Sequence, residues 1–209
     1  VAVGRLQVEL GYTAVVDDDR DEHFLPETLL RIGVVERTEL RLGWGGVRID
    51  EGGVDGTDSE IGFKHVFDLG ADAPLGLGFI AAMSLPTGGS DASDDVVVPG
   101  FKFLWSYDLA ASTSIAGNFN LALPESQAGA RIGLSEASLA LAHSLTERVG
   151  GYVEYFGLYP WEQDAPEHYV NGGFTFLLSD DLQLDVRIGA GLNDSADDLF
   201  AGVGLSVRF

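Results

Sequence analysis

Residues 198–209 read Asp-Leu-Phe-Ala-Gly-Val-Gly-Leu-Ser-Val-Arg-Phe. At a period of two, Leu199, Ala201, Val203, Leu205, Val207 and Phe209 fall on one face, and Phe200, Gly202, Gly204, Ser206 and Arg208 on the other. A strand shows successive side chains to opposite sides, so this stretch has one continuous apolar face and one small, partly charged face. Such a strand suits a wall with lipid on one side and water on the other. It would also suit the last strand of a soluble sandwich or lipocalin-like barrel, because alternation alone says only that a strand is half-buried. The remaining residues decide between the two.

They repeat the pattern about eleven times. Residues 4–16 place Leu6, Val8, Leu10 and Tyr12 against Arg5, Gln7, Glu9, Gly11 and Thr13. Residues 24–35 place Thr28, Leu30, Ile32 and Val34 against Glu27, Leu29, Arg31 and Gly33, and Leu40, Leu42 and Trp44 then oppose Glu39, Arg41 and Gly43. Further on, Ile61 and Phe63 alternate with Glu60, Gly62 and Lys64, and Phe101, Phe103, Trp105 and Tyr107 form an aromatic stripe opposite Gly100, Lys102, Leu104 and Ser106. The least regular stretch, residues 132–144, sets Leu139 and Leu141 against Glu136, Ser138 and Ala140. Connectors alternate strictly between short turns, such as Glu36-Arg37, Thr146-Glu147 and Asp180-Asp181, and longer Gly-rich or acidic loops, acidic at 17–22, 50–58, 91–95, 162–167 and 194–198. An up-and-down meander with two unlike ends produces such alternation.

Polarity then separates membrane from water. The apolar stripe is too long and too aromatic for the interior of a barrel of this size, while the opposing face is rich in Gly, Ala and Ser, which leave room inside a cylinder. Strands of about ten to thirteen residues suit a tilted bilayer crossing. The expectation is an all-β chain, a single domain over 1–209, forming a transmembrane antiparallel up-and-down β-barrel of about 12 strands. The absence of cysteine excludes disulfides and thiolate metal sites, and no run of about eighteen apolar residues offers a transmembrane helix. The chain starts at Val1 without a basic, apolar leader, as a processed or trimmed chain would. A net charge of −21 argues against nucleic acid as a partner.

Three stretches carry a resemblance to a known family. They are Gly4-Arg5-Leu6-Gln7-Val8-Glu9-Leu10-Gly11-Tyr12, Pro26-Glu27-Thr28-Leu29-Leu30-Arg31-Ile32-Gly33 with Glu39-Leu40-Arg41-Leu42-Gly43-Trp44, and the ending from Leu184 to Phe209. Together they resemble the outer-membrane transporters of the meta-pathway of phenol degradation. The resemblance covers most of the chain, the middle matching as alternation. It implies the Gram-negative outer membrane, a transport role, and a terminal aromatic, Phe209, read by the barrel assembly machinery.

The candidate site follows from the inward parity. Glu9 falls near Arg31, and Arg31 near Glu39 and Arg41, with Glu27 one step beyond. Glu136 and Glu154 sit diagonally on strands eight and nine, Asp185 and Arg187 continue the inner face, and Lys64, Lys102 and Arg208 add positive charge. Two readings fit these twelve residues: a charged constriction that selects solutes, or a ladder of inward salt bridges that stiffens a filled lumen. The acidic loops form a solvated, cation-attracting rim that could reach lipopolysaccharide through divalent cations; none has the spacing of a calcium loop, so no metal site is expected. His23 and His168 fall in loops, His65 and His143 share the apolar parity, and no Ser–His pair stands out, so no catalysis is expected. Gly43-Trp44-Gly45-Gly46 lacks the Lys-Ser/Thr of a phosphate loop, and no cofactor is expected. The function expected is a narrow channel for small solutes across the outer membrane, in contact with its lipid. The alternatives are a non-conducting structural or adhesion barrel and a lateral-exit channel for hydrophobic, aromatic compounds, along which Tyr152, Phe156 and Phe200 would lie.

Overall fold

The computed structural model describes residues 1–17, 20–70, 72–124, 132–161 and 165–209. Among them, the period-two segments become fourteen strands: β1 (Leu6–Asp17), β2 (Arg20–Val35), β3 (Thr38–Trp44), β4 (Val47–Asp50), β5 (Gly53–Gly56), β6 (Ser59–Val66), β7 (Leu75–Leu85), β8 (Val98–Ala110), β9 (Thr113–Ala122), β10 (Leu134–Ser144), β11 (Val149–Pro160), β12 (Glu167–Ser179), β13 (Leu182–Gly191) and β14 (Leu199–Arg208). Every pairing between them is antiparallel. β14 pairs with both β13 and β1, and β1 also pairs with β2, so the sheet closes on itself. The closed ring has twelve strands, β1 to β3 and β6 to β14. Closure is what hydrocarbon demands, since each unpaired backbone group there costs several kcal/mol.

The remaining two strands extend the wall. Past Gly45 and Gly46, β4 continues along β2, with Val47, Arg48 and Ile49 opposite Leu25, Phe24 and His23, and β5 folds back on β4. Gly46 makes the bend at φ +85°, where a Cβ would lie 2.7 Å from the Leu25 carbonyl carbon. Opposite the single residue Tyr12, β2 carries Leu25 and Pro26, a bulge that removes the proline's missing donor from the ladder.

Two expected loops are therefore strand. Asp17 and residues 20–22 belong to the β1–β2 hairpin, with Asp17 opposite Arg20 and Val15 opposite Glu22, and residues 50–58 are largely the β4–β5 hairpin. The strict alternation of short and long connectors fails at the first connector for this reason. Asp18, Asp19, Glu162 and Asp164 lie outside the described residues, and Glu167 opens β12.

Burial is inverted relative to a soluble domain. No described side chain is fully buried, while Phe119, Ile188 and Phe174, all on the apolar parity, are 59%, 57% and 50% exposed. The outward aromatics form clusters of their own, with Phe79 within 5.7 Å of both the Phe63 and Phe101 ring centroids. Among the described residues one buried apolar cluster forms, Tyr169, Ala196 and Phe200 with Val15, Phe156 and Leu158 against it, inside the ring toward the longer loops. Gly189 makes its socket, since a Cβ there would meet Phe200 Cζ at 2.2 Å.

At the loop end, two connectors are clasped by aspartates. Asp58 Oδ1 accepts from the amides of Gly88 at 2.8 Å and Thr87 at 3.0 Å, its Oδ2 accepts from Asp94 N at 3.0 Å, and Asp55 Oδ2 accepts from Asp91 N at 3.0 Å. Burial alone would raise the Asp58 pKa; hydrogen bonds from Ser93 and from the Gly88, Asp94 and Thr87 amides outweigh it and hold that pKa below its ordinary value. Burial and the Asp58 charge push Asp94 the other way. A depressed carboxylate pKa stabilises the fold above the ordinary carboxylate range, and that stability is lost as pH falls through the depressed value. The clasp is thus expected to hold at neutral and mildly acidic pH and to open in strong acid. Asp58→Ala is expected to speed amide exchange at Thr87, Gly88 and Asp94 about five-fold, the size of a lost hydrogen bond, as measured by hydrogen exchange at neutral pH.

Candidate functional site

Register brings the first inward charges together. Arg31 on β2 stands opposite Gln7 on β1 and Arg41 on β3, with Glu9 diagonal to it and Glu39 two residues before Arg41. Arg31 donates from Nη1 to Glu9 Oε1 at 2.8 Å, from Nε to Glu39 Oε1 at 2.8 Å and from Nη2 to Glu39 Oε2 at 3.0 Å. Arg41 Nη1 donates to Glu39 Oε1 at 2.8 Å, and the Val1 amino nitrogen lies 2.7 Å from Glu39 Oε2. Glu39, only 3% exposed, therefore bridges two guanidinium groups that face each other across the strand pair. The fork-on-fork geometry fixes this wall and fills the lumen beside it.

A second chain crosses the seam where the barrel closes. Arg187 on β13 reaches over β14 to donate from Nη2 to Thr13 Oγ1 on β1 at 2.9 Å, and Thr13 donates to Glu27 Oε2 at 2.7 Å. The small residue between them is required, since a Cβ at Gly202 would meet Arg187 Nε at 2.9 Å. The Arg187 guanidinium also sits 5.8 Å from the Phe200 ring centroid. Asp185 lies inward two residues away, opposite Gly204.

The far wall is built differently. Glu136 Oε2 accepts from Asn120 Nδ2 at 2.6 Å, and Glu154 Oε2 accepts from Asn171 Nδ2 at 3.0 Å. These two glutamates are not the expected diagonal pair. Ala140, not Glu136, stands opposite Glu154, so about four residues of strand, roughly 13 Å, separate them. Each turns to a different neighbouring strand. Lys64 and Lys102 have no carboxylate within 4.0 Å among the described residues. Arg208 lies at the turn end, opposite Gln7, its backbone amide on the Asp181 carbonyl at 2.9 Å.

The lumen is thus filled on one side and open on the other. Between β6 and β11 runs a cavity of about 330 Å³ whose inward lining includes Lys64, Gly78, Ser106, Asn118, Ser138 and Glu154. Toward the turn end a second space of about 530 Å³ is lined by Asp108, Ser114, Ala142, Tyr152 and Thr175, among others. The amide and hydroxyl partners, Thr13, Asn120 and Asn171, were not among the residues expected from charge and parity. Their inward parity between outward Phe119 and Leu121, or outward Tyr12 and Ala14, was the available signal.

The four histidines all face outward and follow one pattern. Nδ1 of His23, His65, His143 and His168 lies 2.9, 2.8, 2.9 and 2.7 Å from the hydroxyls of Tyr12, Thr38, Thr113 and Tyr155 on adjacent strands. His23 and His168 are in β2 and β12, not in loops. Among the described residues, none of the four is hydrogen-bonded to a serine.

This geometry has known relatives in fold. The outer membrane channel COG4313 from Pseudomonas putida F1 superposes with a TM-score of 0.80 at 12% identity, covering 100% of this chain and 97% of that one. The NanC porin matches with a TM-score of 0.69 at 8% identity over 98% of this chain and 100% of that one. The KdgM porin, solved in complex with disordered oligogalacturonate, matches with a TM-score of 0.69 at 9% identity over 96% and 99%. At these identities the likeness is one of fold, and the fold is that of outer-membrane channels and porins. No curated protein matches the sequence. The model of the family described as "Putative MetA-pathway of phenol degradation" matches residues 1–209, so the chain belongs to that family.

Proposed function

We propose that the barrel lies in the bacterial outer membrane, turn end to the periplasm and loop end outside, and conducts small water-soluble solutes through the unfilled half of its lumen. The observation that carries this reading is the cavity between β6 and β11, where Lys64, Asn118, Ser138 and Glu154 stand among Gly, Ala and apolar side chains such as Leu104, and which stays open while the Arg31–Glu39 wall is filled. Twelve strands leave space for a narrow path once one side is packed. Glu9, Glu27, Arg31, Glu39, Arg41, Asp185, Arg187 and Arg208 then shape and stiffen that path, Lys64 and Glu154 border what stays open, and Lys102 and Glu136 add charge on the same inward parity. The excess of 33 acidic over 12 basic residues surrounds the entrance with negative potential and favours cations. The fold shared with channels and porins supports a conducting role.

Refolded protein in a planar bilayer is expected to give small, stable conductance steps, with a reversal potential in a salt gradient that reports cation preference. Silence at all voltages from a demonstrably folded barrel would overturn the reading.

One observation favours a lateral route for apolar molecules. An outer groove of about 780 Å³, lined by Leu141, Val153, Phe174 and Ile188, also touches the inward residues Tyr152 and Arg187 where Gly172 and Gly173 thin the wall. Conductance in which neutral polar solutes fail to compete, with apolar solutes blocking the current, would support this second route.

A further inference from the structure

We propose that the cavity between β6 and β11 is a transit site for small zwitterions, with Lys64 facing the solute's carboxylate and Glu154 its ammonium group. The inference rests on the channel reading above and gives that channel a substrate class.

Among the described residues, Lys64 and Glu154 are the two charged ones of the cavity wall; its other lining residues, such as Gly76, Leu104, Ser106, Asn118 and Ser138, are neutral. On the ring of twelve strands β6 and β11 stand five apart, so opposite charges face each other from nearly opposite walls. They are not joined to each other by an ion pair. Glu39, the carboxylate in register with Lys64, is already occupied by Arg31 and Arg41. Among the described residues Glu154 is held by a single amide donor, Asn171, at one oxygen, with no cation paired to it. A field therefore runs across the cavity between low-dielectric walls, where it acts more strongly than in bulk water.

The sign of each end selects the solute. A lone anion meets Glu154 and the acidic rim, a lone cation meets Lys64, and a neutral solute gains nothing from either. A molecule carrying both charges satisfies both walls at once. The attraction is weak at each contact, as passage requires, because a solute held too tightly would not leave.

The test is osmotic swelling of proteoliposomes containing the refolded barrel. The two solutes are γ-aminobutyric acid and the uncharged 4-hydroxybutanamide, which are close in size. The wild-type chain is expected to admit the zwitterion about five-fold faster, the size of one partly exposed ion pair. Lys64→Gln and Glu154→Gln should each bring the zwitterion down to the rate of the amide measured in the same vesicles. The double substitution should lower it no further, while Lys64→Arg and Glu154→Asp should keep the preference. The amide rate in the same vesicles reports whether each variant folds and conducts. Equal rates in the wild type, or a preference that survives both single substitutions, would overturn the zwitterion site and leave the channel standing. Absence of swelling with either solute from a folded barrel would overturn both.

Discussion

Glu39→Gln is expected to destabilise the barrel by about 3 kcal/mol, at the lower end of the range for breaking a buried charge network. Glu39 is nearly inaccessible and accepts three hydrogen bonds from two guanidinium groups. A neutral amide in its place leaves Arg41 with no carboxylate partner among the described residues and leaves Arg31 with Glu9, while the two arginines remain cross-strand neighbours. Their repulsion and unmet desolvation then fall on the β2–β3 pair. Glu60→Gln on the neighbouring β6, a glutamate with no ion pair among the described residues, should change stability by less than about 0.5 kcal/mol. Reversible denaturant unfolding in lipid vesicles measures both. If Glu39→Gln matched its control, the filled wall would owe nothing to the network.

Phe119→Arg should cost about 2–4 kcal/mol if its position is near the bilayer midplane, and should depress assembly into vesicles. Phe119 is the most exposed residue of β9 on the apolar parity, flanked across the sheet by Phe103 and Ala137. Its neighbour Asn118 faces the lumen and donates to Ser138 Oγ at 2.9 Å. Asn118→Arg is therefore expected to fold, because its charge enters water, and to lower conductance, because it occupies the cavity. Opposite outcomes from adjacent residues would reflect the two sides of the wall. Equal tolerance at both positions would contradict a lipid-facing exterior.

Much of this was legible from alternation. The β6 to β14 meander, the closure and the Glu9–Arg31–Glu39–Arg41 group follow from parity and from the short Glu36-Arg37 turn, which fixes the β2–β3 register. What misled was polarity beyond the membrane. Asp17, Asp21 and Glu22 break the apolar stripe and read as loop, yet they extend β1 and β2 into water, where a strand has no need of an apolar face. Val47, Ile49 and Val54 carry a short alternation that surrounding Gly and Asp residues mask. The separation of Glu136 from Glu154 depends on how far β10 and β11 are staggered by the connection at residues 145–148, which composition does not encode. The clasp of Asp58 on a loop some thirty residues later was hidden for the same reason: it joins segments whose only relation is the barrel between them.

The most direct test of a water-filled lumen inside a lipid-facing wall is a cysteine scan along β10, which the absence of native cysteine makes clean. Ser138→Cys, Leu139→Cys, Ala140→Cys and Leu141→Cys would each be refolded into vesicles and treated with a charged, membrane-impermeant thiol reagent. Positions 138 and 140 are expected to react, and 139 and 141 to stay unmodified until a lipid-soluble reagent is supplied. Protection of 138 and 140 together with aqueous labelling of 139 and 141 would contradict the account, because it would place the apolar stripe in the interior and the polar residues outside.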